Sequence, residues 1–78
     1  MIKCAAIKRG ELVYSIARPA RHHHIIIEYF LQTGRRIGGP GTTVQGFLTE
    51  AGDFVDREAA FKLTGKGRNG KTYSEDLW

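Results

Sequence analysis

Read for apolar and polar positions, the chain opens with two short segments of strand character, 2–7 and 12–17. They are joined across Lys8-Arg9-Gly10-Glu11 by a glycine-containing turn. This is a β-hairpin signature. Arg18-Pro19-Ala20 closes the second strand, because proline has no donor for a ladder. From 22 to 33 the apolar residues fall at Ile25, Ile26, Tyr29 and Phe30, with Ile27 beside them, and spacings of three and four put most of these on one helical face. The triplet Ile25-Ile26-Ile27 alone favours a strand. The continuation through Glu28 to Gln32 and the stop at Gly34 favour a helix, and a helix over 22–33 is predicted.

A loop over 35–41 follows, with Gly38-Gly39-Pro40-Gly41 as its breaker cluster. Strand character returns over 42–48. Phe47 and Phe54 bracket a tight turn in which Gly52 can take a positive φ. After a second short strand, Asp56 is placed to cap a helix over 57–63, which Gly65 ends. Residues 66–71 carry Gly67 and Gly70 and are expected to be mobile. Ser74, Glu75 and Asp76 can start a short helical turn, and Tyr73, Leu77 and Trp78 can dock apolar surface on the body or a partner. The pattern predicts an α+β fold: a small antiparallel sheet with two helices packed on one face, as one domain over 1–78.

Length limits this picture. A chain of 78 residues buries a modest share of its apolar surface and has marginal stability. Cys4 is the only cysteine, so no disulfide helps, and a lone thiol points to a reducing, cytoplasmic setting, while its place inside a predicted strand reads as core filling. Self-association is therefore an expected source of further burial, most often as a twofold dimer or a multiple of one. The longest apolar run is too short to span a bilayer, and the early charges Lys8, Arg9 and Glu11 argue against a signal peptide. The net charge of +4 favours an anionic partner without choosing among nucleotide, nucleic acid and acidic protein. Lys62, Lys66, Arg68 and Lys71 form a basic run, while Arg18, Arg21, Arg35 and Arg36 flank the first helix.

Three constellations bear on chemistry. Gly65-Lys66-Gly67-Arg68-Asn69-Gly70-Lys71-Thr72 fits the phosphate-binding pattern G-x-x-x-x-G-K-[ST]. That pattern works between a strand and a helix, and here a helix precedes it, so the match reads as accidental. Arg21-His22-His23-His24 cannot direct three histidines at one metal from a helix, whose successive residues point about 100° apart. With no second Cys or His group, neither a metal site nor a cofactor is expected. What remains is a set of donors near a helix start, with Arg21 able to fork onto a phosphate, and a polar helix end with one histidine packed fits at least as well. Arg57, in the first turn of the second helix, opposes the macrodipole preference and makes more sense beside a held anion, although a plain surface arginine fits equally. Nothing in the chain orders a nucleophile, base and acid as an enzyme does, and the His24–Glu28 pair can serve only to steady the helix.

The order of short motifs is more telling than any one of them. Cys4-Ala5-Ala6-Ile7 comes first, then Arg21-His22-His23, Gln45-Gly46-Phe47-Leu48-Thr49, Gly52-Asp53-Phe54-Val55-Asp56-Arg57-Glu58-Ala59 and Tyr73-Ser74-Glu75-Asp76-Leu77. In this order the chain resembles the Thoeris anti-defence family of phage nucleotide sponges. The resemblance implies a non-enzymatic phage protein of the host cytoplasm. Such a protein sequesters a cyclic ADP-ribose isomer made by a bacterial immune enzyme, and some relatives take up cyclic oligonucleotides. It also implies dimers or rings of dimers. Carried onto this sequence, it has Arg21 and Arg57 pair with the phosphates. Phe47 or Phe54 stacks on adenine, and His22, His23 and Asp56 bond ribose hydroxyls. Two other readings stay open. One is a module that blocks a host protein or binds nucleic acid through its basic surface, although no helix carries a dense Lys/Arg stripe. The other is a small phosphodiesterase using the histidines.

Overall fold

The computed structural model describes residues 1–37 and 43–78. Four strands, β1 (Ile2–Arg9), β2 (Leu12–Ser15), β3 (Val44–Thr49) and β4 (Phe54–Asp56), form one antiparallel sheet in the order β2-β1-β3-β4. Two helices, α1 (His22–Thr33) and α2 (Arg57–Thr64), and a 3-10 turn (Ser74–Asp76) complete the chain. The α+β expectation is met, and so are the bounds of α1. The Gly38-Gly39-Pro40-Gly41 breaker and the start of the expected strand at Thr42 lie outside the described residues.

The sheet is sorted by the alternation of side chains along each strand. Ala5 lies opposite Phe47, and Phe47 opposite Val55, so these three share one face. Both helices pack there. Ile25 of α1 meets Ala5 and Ile7, while Ala60 of α2 meets Phe47 and Ile2. An irregularity in register between Ile2 and Cys4 lets Ile2 join that face. The chain's tail seals the layer: Trp78 packs against both clusters, and Leu77 joins the second. Cys4, also buried, fills space as its strand context implied.

The opposite face carries Leu48, Phe54 and Lys8, with Gly46 opposite Asp56. A Cβ on Gly46 would fall 2.2 Å from the Val55 carbonyl oxygen and 2.8 Å from the Phe54 ring. The absence of a side chain at 46 is what lets Phe54 lie flat across β3.

Helix ends follow local chemistry. Asp56 accepts a hydrogen bond from the Ala59 amide at 2.8 Å, as an N-cap does. Gly34 and Gly65 close α1 and α2 in the left-handed region, with amides bonded back to Phe30 and Phe61. The 66–71 segment differs from expectation. Arg68 and Lys71 form a two-way backbone bridge around Asn69-Gly70, both of positive φ, which is the geometry of a tight hairpin turn. Thr72 is fully buried and donates to the Lys66 carbonyl at 2.6 Å. The glycines that suggested looseness permit a compact fold-back instead. The G-x-x-x-x-G-K-[ST] match is thus a helix cap followed by a hairpin.

Gly46→Ala should destabilise the protein by about 1–3 kcal/mol, because the obstructing atoms are mainly backbone. Urea unfolding of the variant against the parent measures this.

Candidate functional site

The site is built from the N-terminus of α1, the middle of β3, the first residue of α2 and the C-terminal turn. Arg21 is the N-cap of α1, and its amide donates to His24 Nδ1 at 2.7 Å. This bond occupies His24 as a capping group. His22, the first helical residue, turns inward and is buried. Its Nε2 donates to the Gly46 carbonyl at 2.7 Å, and its ring meets Phe47 edge-on at 5.3 Å. His23, one step round the helix, stays exposed.

Gln45 precedes Gly46 along β3, and its Oε1 accepts from the Arg57 guanidinium at 2.7 Å. That guanidinium also lies over the Tyr73 ring at 4.8 Å, with Arg68 near the same ring at 4.9 Å. Arg57 Nε is buried and has no hydrogen-bond partner among the described residues. Arg21 donates to Ser74 Oγ at 3.1 Å and to the Trp78 main-chain oxygen, so the C-terminal turn is fastened beside the start of α1.

The result is a shallow depression of about 270 Å³ walled by Arg21, His22, His23, Ile26, Gln45, Arg57, Ser74 and Glu75. Glu75 is salt-bridged to Arg68 at 2.9 Å, so its charge is largely offset. Two guanidiniums then set the sign of the field, and the cleft favours an anion. A second, smaller dent on the other side of Arg57 is lined by Asp56, Glu58, Lys71 and Tyr73 among others, and its charges are mixed.

Burial lowers the pKa of His22 from its ordinary 6.5; the hydrogen bond to Gly46 opposes this and the charge of Arg57 adds to it. His22 is accordingly a neutral donor to Gly46 at physiological pH. Burial also lowers Arg57, with Tyr73 and Glu75 opposing. A guanidinium so shifted still carries its charge near neutrality.

Of the seven residues singled out from sequence, Arg21, His22, His23 and Arg57 come together in one depression. Asp56 lies at the neighbouring dent, with its carboxylate engaged as a cap. The two phenylalanines lie elsewhere. Phe47 is fully buried and offers no face to a base. Phe54 projects from the helix-free side of the sheet, with Lys8 Nζ 5.9 Å from its ring centre. Gln45, Ser74 and Glu75 were missed as site residues, although the motifs that contain them stood out. The signal available was Ser74 next to two carboxylates in a short turn, whose placement depends on how the tail docks. Among the described residues, no group of three His, Cys, Asp or Glu side chains is arranged to hold a metal ion, and no helix is long and apolar enough to cross a membrane.

The whole chain, residues 1–78, matches the family model described as phage T4 y16D protein. The chain belongs to this family of phage proteins. No curated protein and no solved structure matches it. The family places the chain among phage proteins, as the motif order implied, and carries no assignment to nucleotide sponges.

The lowered His22 value has a consequence for stability. The unfolded chain takes up this proton near 6.5 and the folded chain only at lower pH. The contribution of His22 is therefore present above the unfolded value and is lost as pH falls through the folded one. The urea midpoint should drop between about pH 7.5 and about pH 5.5. His22→Gln, which keeps a donor for Gly46 and cannot titrate, should flatten that drop.

Proposed function

We propose that this phage protein binds a cyclic nucleotide immune signal, a cyclic ADP-ribose isomer in the first instance, and holds it without cleaving it. The observation that supports this reading is the convergence of Arg21 and Arg57 on one depression in which Glu75, the one carboxylate among the described lining residues, is already paired. A pyrophosphate presents several acceptor oxygens, and two planar guanidinium forks suit it better than point charges do. His23, Gln45 and Ser74 are placed to bond ribose hydroxyls, and Ile26 provides an apolar wall for a base. Neither Phe47 nor Phe54 takes part. Arg21, Ser74, Arg57 and Gln45 are held in place by existing hydrogen bonds, which favours binding over turnover, and no described side chain there is paired as a nucleophile with its own base.

The nucleic-acid reading draws less support. Lys66 borders a cavity beside Arg18 and Glu50, Lys71 borders the dent beside Arg57, and Arg68 is engaged by Glu75. The basic run is therefore spread over different sides rather than aligned as a track.

The test is to incubate the purified protein with cyclic ADP-ribose isomers and cyclic di- and trinucleotides, remove free ligand, denature, and identify released material by mass spectrometry. The expected result is an intact nucleotide in stoichiometric amount. A changed mass would make the protein an enzyme, and no release across the panel would send the search to macromolecular partners. Arg57→Ala should weaken binding roughly ten- to hundredfold, the range for a charged hydrogen bond. Joint neutralisation of Lys66 and Lys71 should change it little.

A further inference from the structure

The depression at Arg21 and Arg57 is rich in donors, and its side-chain acceptors are mostly engaged. A guanidinium donates and cannot accept. Gln45 Oε1 accepts from Arg57 at 2.7 Å, and Ser74 Oγ accepts from Arg21 at 3.1 Å. His22 turns inward with its Nε2 on the Gly46 carbonyl, and His23, when neutral, adds one ring nitrogen. Glu75 is different. Its Oε1 accepts from Arg68 at 2.9 Å, and its Oε2 meets no donor among the described residues. An ionised carboxylate accepts at about four lone-pair sites, so most of its capacity stays open toward the depression that it lines.

That carboxylate is held in place. The Arg68 backbone exchanges hydrogen bonds with Lys71 at 3.0 and 3.1 Å across the Asn69-Gly70 turn. The Arg68 guanidinium lies over Tyr73 at 4.9 Å, the same ring that Arg57 covers at 4.8 Å. Contacts thus run from Arg57 through Tyr73 and Arg68 to Glu75, and the fold-back over 66–71 serves to fix the Glu75 carboxylate relative to the guanidinium of Arg57. The charge of Glu75 reaches across the depression: burial lowers the pKa values of both His22 and Arg57, and Glu75 is among the groups that oppose this at each.

A fixed carboxylate is out of place in a site for a bare anion. It suits a ligand that carries O–H donors next to its phosphates. We propose that Glu75 reads the vicinal hydroxyls of a ribose and so restricts the anion site to ribonucleotides. Arg57 and Arg21 take the phosphates, and the open oxygen of Glu75 accepts from the sugar. Toward inorganic phosphate or pyrophosphate the same carboxylate is a nearby like charge, which Arg68 offsets in part. Toward a 2′-deoxy sugar one acceptor bond goes unmade, and a site built to bond a hydroxyl disfavours the analogue that lacks it. Because the depression is shallow, water can reach the acceptor, and the discrimination is several-fold rather than the far larger ratio of a buried site. This role of Glu75 rests on the anion-binding reading and adds to it the identity of the sugar.

Isothermal titration calorimetry of the full chain with ADP, 2′-deoxy-ADP and inorganic pyrophosphate tests it. The parent should bind ADP several-fold more tightly than 2′-deoxy-ADP. Glu75→Ala should erase that preference and at the same time bind pyrophosphate several-fold more tightly than the parent does. The opposite signs separate this role from a structural one, since a loosened site would weaken every ligand. Glu75→Gln, which removes the charge and keeps an acceptor, should also tighten pyrophosphate while retaining part of the preference for ADP. Equal binding of ADP and 2′-deoxy-ADP by the parent, or a preference that survives Glu75→Ala, overturns the role of Glu75 and leaves the anion site standing. A parent that binds none of the three, nor the cyclic isomers, removes the anion-binding reading and this role with it.

Discussion

The buried hydrogen bond from His22 to the Gly46 carbonyl ties the first residue of α1 to the middle of β3. In net terms such a bond contributes about 1 kcal/mol, and leaving its buried acceptor unmet would cost more. Its larger effect is positional. With the start of α1 held over Gly46, Arg21 and His23 on either side of His22 must face Gln45, the neighbour of Gly46, and Arg57, which Gln45 holds. The helix start and the strand are far apart in sequence, and this one contact turns them into a shared wall.

Gly46 serves both faces of the sheet. Its carbonyl receives His22 on the helix side, and its missing side chain admits Phe54 on the other. The tail then locks the arrangement. Arg21 bonds Ser74 and Trp78, Trp78 packs edge-on against Phe47 at 6.1 Å, and its indole donates to the Pro19 carbonyl at 3.1 Å. Arg21 is therefore partly a structural residue, with two of its donors already spent. Among the described residues Arg57 spends one donor, on Gln45, and retains more of its fork for an incoming anion.

Much of the fold was legible because local signals agreed. Gly34 stops α1 where the isoleucine spacing runs out, and Asp56 and Gly65 mark the ends of α2. Where local signals are silent about partners, the reading stopped short. Phe47 and Phe54 look equivalent on either side of a turn. The register that pairs Leu48 with Phe54 puts them on opposite faces, and no property of either residue announces it. The glycines of 66–71 suggested mobility because the burial of Thr72 depends on a long-range bond, from its amide to Arg57. That Arg21, His22, His23 and Arg57 stand at helix starts was legible, because charge and position there are local facts. Gln45 and Ser74 were not, because their roles arise only when β3 and the tail meet α1.

The central claim is that the cleft between Arg21 and Arg57 receives an anionic nucleotide. Two-dimensional amide NMR spectra recorded while ADP-ribose or inorganic pyrophosphate is titrated into the full chain test it most directly. The account predicts shifts concentrated at residues 21–23, 45, 57 and 74–75, with β2 unmoved. Shifts centred elsewhere, or none with either compound and with the cyclic isomers, would contradict it.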